Sequence, residues 1–422
     1  MRCLLPVLLL GALAPGLARA QDPAAAPKAF EVFIDCQTRR CDFDHFRREI
    51  TFVNYVRDRQ DADVHVLVTT QRTGGGGTEF TLAFIGLQQF ADLDETLRYV
   101  SEPTATDEEI RTGLTQTVQA GLVRYLSRTP QLQRLRFSYL APTAEEAAAE
   151  PAAEEDPWNF WIFRTSARGF LRGESQQSNY NLNGSFSADR VTEAWKISLD
   201  LDGFYSESRF EIDDSTTITN EQSSYGTDGL VVRSLGPHWS AGARAAASHS
   251  TFRNEDLRLS LGPAVEYNIF PYDESTRRQF TFLYQVAFLH FDYIEETLFE
   301  KTTETLVNTS LTGALEIQQP WGSVETSLEG SVYLHDLSKL RLDLFSELEV
   351  RLFRGLSLDL FGAVALVRDQ LSLRAGGASE EDILLRRRAL GTNFEVFGSV
   401  GLSYTFGSRF TNVVNPRFNS GG

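Results

Sequence analysis

The chain has 422 residues, 42% of them apolar, and a formal net charge of −17. Nucleic acid and anionic membrane surfaces both call for clustered Lys and Arg, so this balance excludes them as partners. Beyond the first twenty residues no apolar run approaches the roughly 18 residues that a spanning helix needs, which excludes a helical membrane protein.

The chain opens with Arg2, an apolar run from Leu4 to Leu17 broken by Pro6 and Pro15, and Ala18-Arg19-Ala20 before Gln21. A basic start, a short apolar middle and an Ala-x-Ala cut predict a secretory signal peptide over 1–20. Losing Arg2 and Arg19 with it takes the charge from −17 to −19 (−17 − 2). Cys3 leaves with the leader, so Cys36 and Cys41 remain as the only thiols in an oxidising compartment, and a disulfide between them is expected. With no histidine pair nearby they fall short of the four ligands of structural zinc, so neither metal nor cofactor is expected.

Residues 28–140 read as a small α/β domain. FEVFID from Phe30, DADVHVLVTTQ at 61–71 and TEFTLAFIG at 78–86 are strands, with Gly74 to Gly77 as a hairpin turn. A phosphate-cradling loop would continue into Lys-Ser/Thr and a helix, whereas Thr78, Glu79 and a strand follow here. Phe43, Phe46, Ile50, Val53 and Val56 predict a helix near 42–57, and the capping box Thr106 to Glu109 opens a second whose stripe is Ile110, Leu114, Val118, Leu122 and Leu126. A last strand is expected at 135–139. In topology this order resembles small periplasmic domains that dock partners, such as the N-terminal domain of TolB-like proteins, and the resemblance implies a periplasmic protein partner. Arg39, Arg40, Arg47 and Arg48 are candidates for contact, with a solvated helix entrance as the simpler reading. Residues 141–156, APTAEEAAAEPAAEED, carry six acids and no base, and read as a solvated linker.

From 157 to 406 the pattern changes. Leu340, Leu342, Leu344, Leu348, Val350, Leu352, Leu356, Leu358 and Leu360 share one parity, which scatters round a helix and makes one face of a strand. The alternation returns in segments near 160–172, 178–188, 194–205, 225–234, 238–248, 257–270, 279–291, 305–317, 323–334, 340–353, 356–368 and 393–406, twelve in all. An even count, with longer connections at 206–224, 249–256, 292–304 and 369–392, suits a closed antiparallel up-and-down barrel with surface loops on one side. Trp158, Trp161, Trp195, Trp239 and Trp321 all fall at the opposite, periplasmic rim, where tryptophan prefers to sit. The closing segment FEVFGSVGLSYTF, ending in Tyr404 and Phe406, resembles the terminal strand signal of Gram-negative outer-membrane β-barrel proteins. Residues 407–422 continue past the point where that signal usually ends, and read as a periplasmic C-terminal tail, with a plug-like segment as the alternative. The resemblance implies a porin-like barrel in the outer membrane with its N-terminal domain in the periplasm, and as partners outer-membrane lipid, lipopolysaccharide and the barrel assembly machinery. A soluble β-sandwich also alternates, but it explains neither the one-sided tryptophans nor the loop asymmetry.

The parity opposite the apolar row carries charges of both signs: Arg164, Arg168 and Arg172 in the first strand, Lys196 and Arg244 later, then Glu325, Glu329, Arg341, Asp343, Glu347, Glu349, Arg351 and Glu395. These are expected to face a lumen, either pairing across it or leaving a narrow aqueous pore in which the arginines oppose acids of the later strands. An enzyme is not expected: His290 lies on the lipid-facing parity, Ser310 in the next strand on the other, and no Ser/His/Asn set lines up. Paired carboxylates such as Glu295 and Glu296 lack the glycine and Asp/Asn spacing of a calcium loop. The expected function is passive passage of small polar solutes; the alternative is a barrel that anchors a partner-binding periplasmic domain.

Overall fold

The computed structural model describes residues 29–74, 76–134, 156–213, 216–412, 414 and 417. The leader, the strand expected at 135–139 and the acidic segment up to 155 lie outside the described residues.

Near the N-terminus β1 (Glu31–Cys36), β2 (Asn54–Tyr55), β3 (Val64–Arg72), β4 (Thr78–Gly86) and β5 (Glu95–Ser101) form a sheet in the order β2-β1-β3-β4-β5. β1 runs parallel to β2 and β3, and β3, β4 and β5 form an antiparallel meander. Alternation sends Val32, Ile34, Val66, Phe80, Leu82 and Phe84 to one side, where α1 (Phe43–Glu49) and α2 (Asp107–Leu126) bury them under Phe46, Leu114, Val118, Leu122 and Tyr125. Each such side chain contributes about 1.5–3 kcal/mol on burial, which makes this layer the support of the domain. α2 begins in the expected capping box: the Thr106 hydroxyl accepts from the Glu109 amide at 3.3 Å and the Glu109 carboxylate accepts from the Thr106 amide at 2.7 Å. Gly121 lets α2 lie against the Phe84 ring, which a Cβ there would strike.

Two elements depart from the sequence reading. The first helix ends at Glu49 instead of continuing to 57, because the Tyr55 hydroxyl donates to the Phe46 and Ile50 carbonyls at 2.9 and 3.2 Å. Those bonds satisfy carbonyls near the helix end and free Asn54 and Tyr55 to pair with β1. The strand β5 was not foreseen; Leu97 and Tyr99 on its inner side pack against the core.

The second sheet comprises β6 (Trp161–Gly173), β7 (Gln177–Val191), β8 (Trp195–Asp213), β9 (Thr216–Ser234), β10 (Trp239–Ser250), β11 (Glu255–Asn268), β12 (Arg278–Tyr293), β13 (Thr303–Gln319), β14 (Gly322–Tyr333), β15 (Asp336–Phe353), β16 (Leu356–Val367) and β17 (Phe394–Tyr404). It is a twelve-stranded antiparallel meander in which every strand pairs with its chain neighbours and β6 and β17 stand at the two ends of the order. Among the described residues no helix is long and apolar enough to cross a membrane. Where a loop was expected at 206–224, residues 206–213 and 216–224 are strand: β8 and β9 are 19 residues each, with Glu207 opposite Glu221 and Phe210 opposite Ile218. Backbone pairing tolerates polar side chains on both faces, so the ribbon continues beyond the apolar band.

Up-and-down order sorts the connections into two ends. Trp161, Trp195 and Trp239 open β6, β8 and β10, Trp321 lies in the β13–β14 turn, and Tyr404 closes β17, all at one end, here termed the tryptophan end. The long 368–393 connection, with the short helix α3 (Glu380–Leu384), lies at the other. One face of the sheet is apolar and uncovered: Leu261 is 59% exposed, Phe288 56% and Val400 75%. A contiguous uncovered apolar face marks a surface that meets a partner or lipid.

Candidate functional site

The second face of the large sheet is polar. By alternation Arg164, Arg168, Arg172, Lys196, Arg244, Glu325, Glu329, Arg341, Asp343, Glu347, Glu349, Arg351 and Glu395 all fall on it. Register places Glu316 opposite Glu325 and Glu325 opposite Glu347, while Glu329 faces Asp343. Within the sheet itself the ion pairs there are local. Arg172 pairs with Glu174, Arg341 Nε lies 2.8 Å from Asp343 Oδ2, and Arg244 Nε lies 2.6 Å from Asp228 Oδ2 on the next strand. Among the described residues no ion pair joins the β6 arginines to acids of β13 to β17. Space remains between these groups: a cavity of about 510 Å³ is lined by Ser327, Glu329, Arg341, Asp343 and Glu395. Another of about 590 Å³ lies between the β3–β4 hairpin and β6 to β8, lined by Arg72, Gly76, Arg164, Lys196, Asp200 and Asp202.

The small domain meets the large sheet at the tryptophan end. Arg351, at the end of β15, forks onto Asp35 of β1, with Nη2 donating to Oδ1 at 2.7 Å and Nη1 to Oδ2. His65 Nε2 lies 3.3 Å from the same Oδ2, and the Arg351 guanidinium stacks over Phe33 at 5.4 Å. Asp35 is 3% exposed and His65 fully buried. Burial alone pushes the Asp35 carboxyl up, but the hydrogen bonds from Arg351 and His65 and the charge of Arg351 outweigh it and hold the group at about 2. Burial pushes the His65 imidazole down, further than Asp35 can raise it, so the ring is neutral at pH 7. Beside this fork Arg354 pairs with Asp61, and the Gly355 amide donates to Asp58 Oδ2 at 2.8 Å.

Two further contacts complete the junction. In the β3–β4 turn Gly76, at φ +75°, lies against the Arg164 side chain in a space that a Cβ would occupy. After β17 the chain turns back to the small sheet: the Arg57 amide donates to the Arg409 carbonyl at 2.9 Å, Thr411 to Tyr55 at 3.0 Å, and Val56 bridges Phe410. What reads as a separate tail from 407 thus extends the small sheet along its β2 edge, an edge that would otherwise present unpaired groups. Cys36, the last residue of β1, is joined by a disulfide to Cys41.

At the opposite end the 368–393 segment folds back over the polar face. Arg374 donates to the Thr251 carbonyl at 2.7 Å and pairs with Glu295 at 3.0 Å, and the Leu298 amide donates to Leu373 at 2.8 Å. Leu371 joins a buried cluster with Leu289, Phe291, Tyr293, Leu306 and Tyr333. A partial sequence signal for this cluster existed: the parity of β12 that carries Gln279, Thr281 and Gln285 near its start is apolar from Ala287 to Tyr293. The chain matches no protein-family model, and no curated protein matches it.

Proposed function

We propose that the large sheet closes by pairing β6 with β17 and spans the outer membrane of a Gram-negative bacterium as a twelve-stranded barrel. Its apolar face meets lipid and lipopolysaccharide, and its tryptophan end and small domain lie in the periplasm. Left open in hydrocarbon, β6 and β17 would each present a row of unsatisfied backbone groups, which bilayers do not tolerate. Twelve strands in meander order run β6 and β17 antiparallel, as closure requires. The β17 pattern is the surface that the barrel assembly machinery would read.

On this reading the polar face lines a lumen for passive passage of small polar solutes, with the small domain and the 368–393 segment as covers at its two ends. One observation carries the passage: the charges pair along or beside their own strands and leave cavities of about 590 and 510 Å³, instead of crossing to fill the interior. Charged groups beside water cost little and select among solutes by sign. A second reading, a barrel that anchors the small domain for a periplasmic partner, is favoured by the Arg351–Asp35 fork, which fixes the domain at the rim.

Single-channel recording from the refolded protein in a planar bilayer tests the two. Discrete steps that become more frequent when Arg351→Ala loosens the inner cover are expected for passage. Silence from both proteins, with folding shown by heat-modifiable gel mobility, overturns passage and leaves the anchor.

A further inference from the structure

We propose that the cavity of about 590 Å³ between the β3–β4 hairpin and β6 to β8 binds a short peptide with free termini, its carboxylate on the hairpin side and its ammonium on the β8 side. The proposal rests on the barrel reading above, which makes this cavity the inner mouth of a lumen. Its lining carries both signs. The cations are Arg72 on the hairpin, Arg164 on β6 and Lys196 on β8, and the acids are Asp189 on β7 with Asp200 and Asp202 on β8. Among the described residues none of these six side chains forms a hydrogen bond or an ion pair.

Charges beside water need no partner, so their separation alone does not make a site. Elsewhere on the same face, however, neighbours of opposite sign do meet, as Arg244 meets Asp228 and Arg341 meets Asp343. Here the hairpin holds them apart. Arg164 stands opposite Ser187 and Ser187 opposite Asp200, in one row across three strands. The Arg164 guanidinium lies against Gly76, in the space that a Cβ would fill, and Gly74 lies where a Cβ would strike Val191. Gly74 and Gly76 thus serve the close approach of the turn to the inner wall, and that approach keeps a guanidinium on the hairpin side and Asp200 on the other.

The dimensions select the ligand. Two strand spacings, about 9.5 Å, separate β6 from β8, and an extended tripeptide spans about 10 Å. Ser187 lies in the row between Arg164 and Asp200, and Ser185 and Ser198 line the same space, so hydroxyls stand where the amides of a peptide would pass. A solute of one sign leaves half of the lining without a counter-charge, whereas a zwitterion makes charge-assisted hydrogen bonds at both ends. The small domain supplies Arg72 and the wall supplies Arg164 and Asp200, so the site is whole only while the domain is docked. A bound peptide therefore favours the docked state by mass action.

The test is isothermal titration calorimetry of trialanine into the refolded full-length mature protein in detergent micelles, with N-acetyltrialanine amide as the uncharged control. Trialanine is expected to bind at least about tenfold more tightly than the control, and to lose at least about tenfold in affinity in Arg164→Gln and in Asp200→Asn. Saturating trialanine should also slow release of the small domain by protease, and the control should not. Heat-modifiable mobility and insertion into liposomes are measured on every variant. A protein that neither shifts on heating nor inserts overturns the barrel and the site with it. A folded, inserted protein that does not bind trialanine, that binds the control equally well, or whose affinity is unchanged in either variant overturns the site alone. Release at one rate with and without trialanine overturns its coupling to docking.

Discussion

The two sheets of this protein are built from the same alternation and use it in opposite ways. In the small sheet Val66, Phe80, Leu82 and Phe84 are fully buried under two helices. In the large sheet Leu261, Phe288, Leu328 and Val400 stand uncovered on one face while Arg341, Asp343, Glu347 and Glu349 share the other. Helices supply the first sheet with its apolar cover from within the chain. No element of the chain among the described residues covers the second, and on the proposed membrane reading lipid does, with the tryptophans at one end where hydrocarbon would give way to water. Alternation therefore says which residues share a face, and the presence or absence of a covering layer says what that face meets.

The sharpest way to test the junction between the two regions lies on one strand. Arg351→Ala leaves Asp35 buried without its cation and should cost the docked domain about 3–5 kcal/mol, read as earlier urea unfolding or as protease release of the domain. Arg341→Ala, ten residues earlier on the same face and paired only with its half-exposed neighbour Asp343, should cost under about 1 kcal/mol. Equal losses would mean that the fork does not hold the domain.

Leu328→Arg, at the middle of β14 on the apolar face, should destabilise the sheet by about 2–4 kcal/mol in lipid vesicles, whereas Ser327→Arg on the polar face should be near neutral. A harmless Leu328→Arg would remove the ground for placing that face in lipid.

Acid should separate the regions as well. Asp35 titrates at about 2 in the folded protein against 3.8 when free, so its contribution of roughly 2 kcal/mol is full above pH about 4 and is lost as pH falls towards about 2. The depressed His65 works in the same direction from higher pH, since the unfolded chain takes up a proton below its ordinary value that the buried ring refuses. Asp35→Asn should flatten the acid limb of domain unfolding; an unchanged limb would assign it to other carboxylates. A reducing agent should have an effect of similar size, confined to the small domain. Opening the Cys36–Cys41 loop, five residues apart, should cost the small domain about 2 kcal/mol and leave β6 to β17 unmoved.

Much of this architecture was legible in the residues. All twelve strands of the large sheet stand within the segments marked by alternation or extend them, and the Thr106 capping box opens α2 where Thr-Asp-Glu-Glu stands in the chain. The polar 206–224 stretch misled because composition reports solvation, and a two-stranded ribbon can be solvated on both faces. The helix expected to 57 stopped at Glu49 because its apolar period, carried on by Val53 and Val56, was claimed by a sheet edge and not by a helix face. β5 was missed because Leu97 and Tyr99 alone mark its inner face.

What the sequence by itself determined is local: where strands run, which side chains share a face, which end of the large sheet carries the tryptophans, and the presence of two cysteines five residues apart. Side-chain period is a property of a few consecutive residues, so it survives in the linear text. Only the tertiary structure decided that Arg351 meets Asp35 across 316 residues, that Phe410 pairs with Val56, that Leu371 seals the far end, and that Gly76 lies against Arg164. Those contacts depend on cross-strand register and on which edges remain free once the sheets have formed, and neither is written in the period of any single strand.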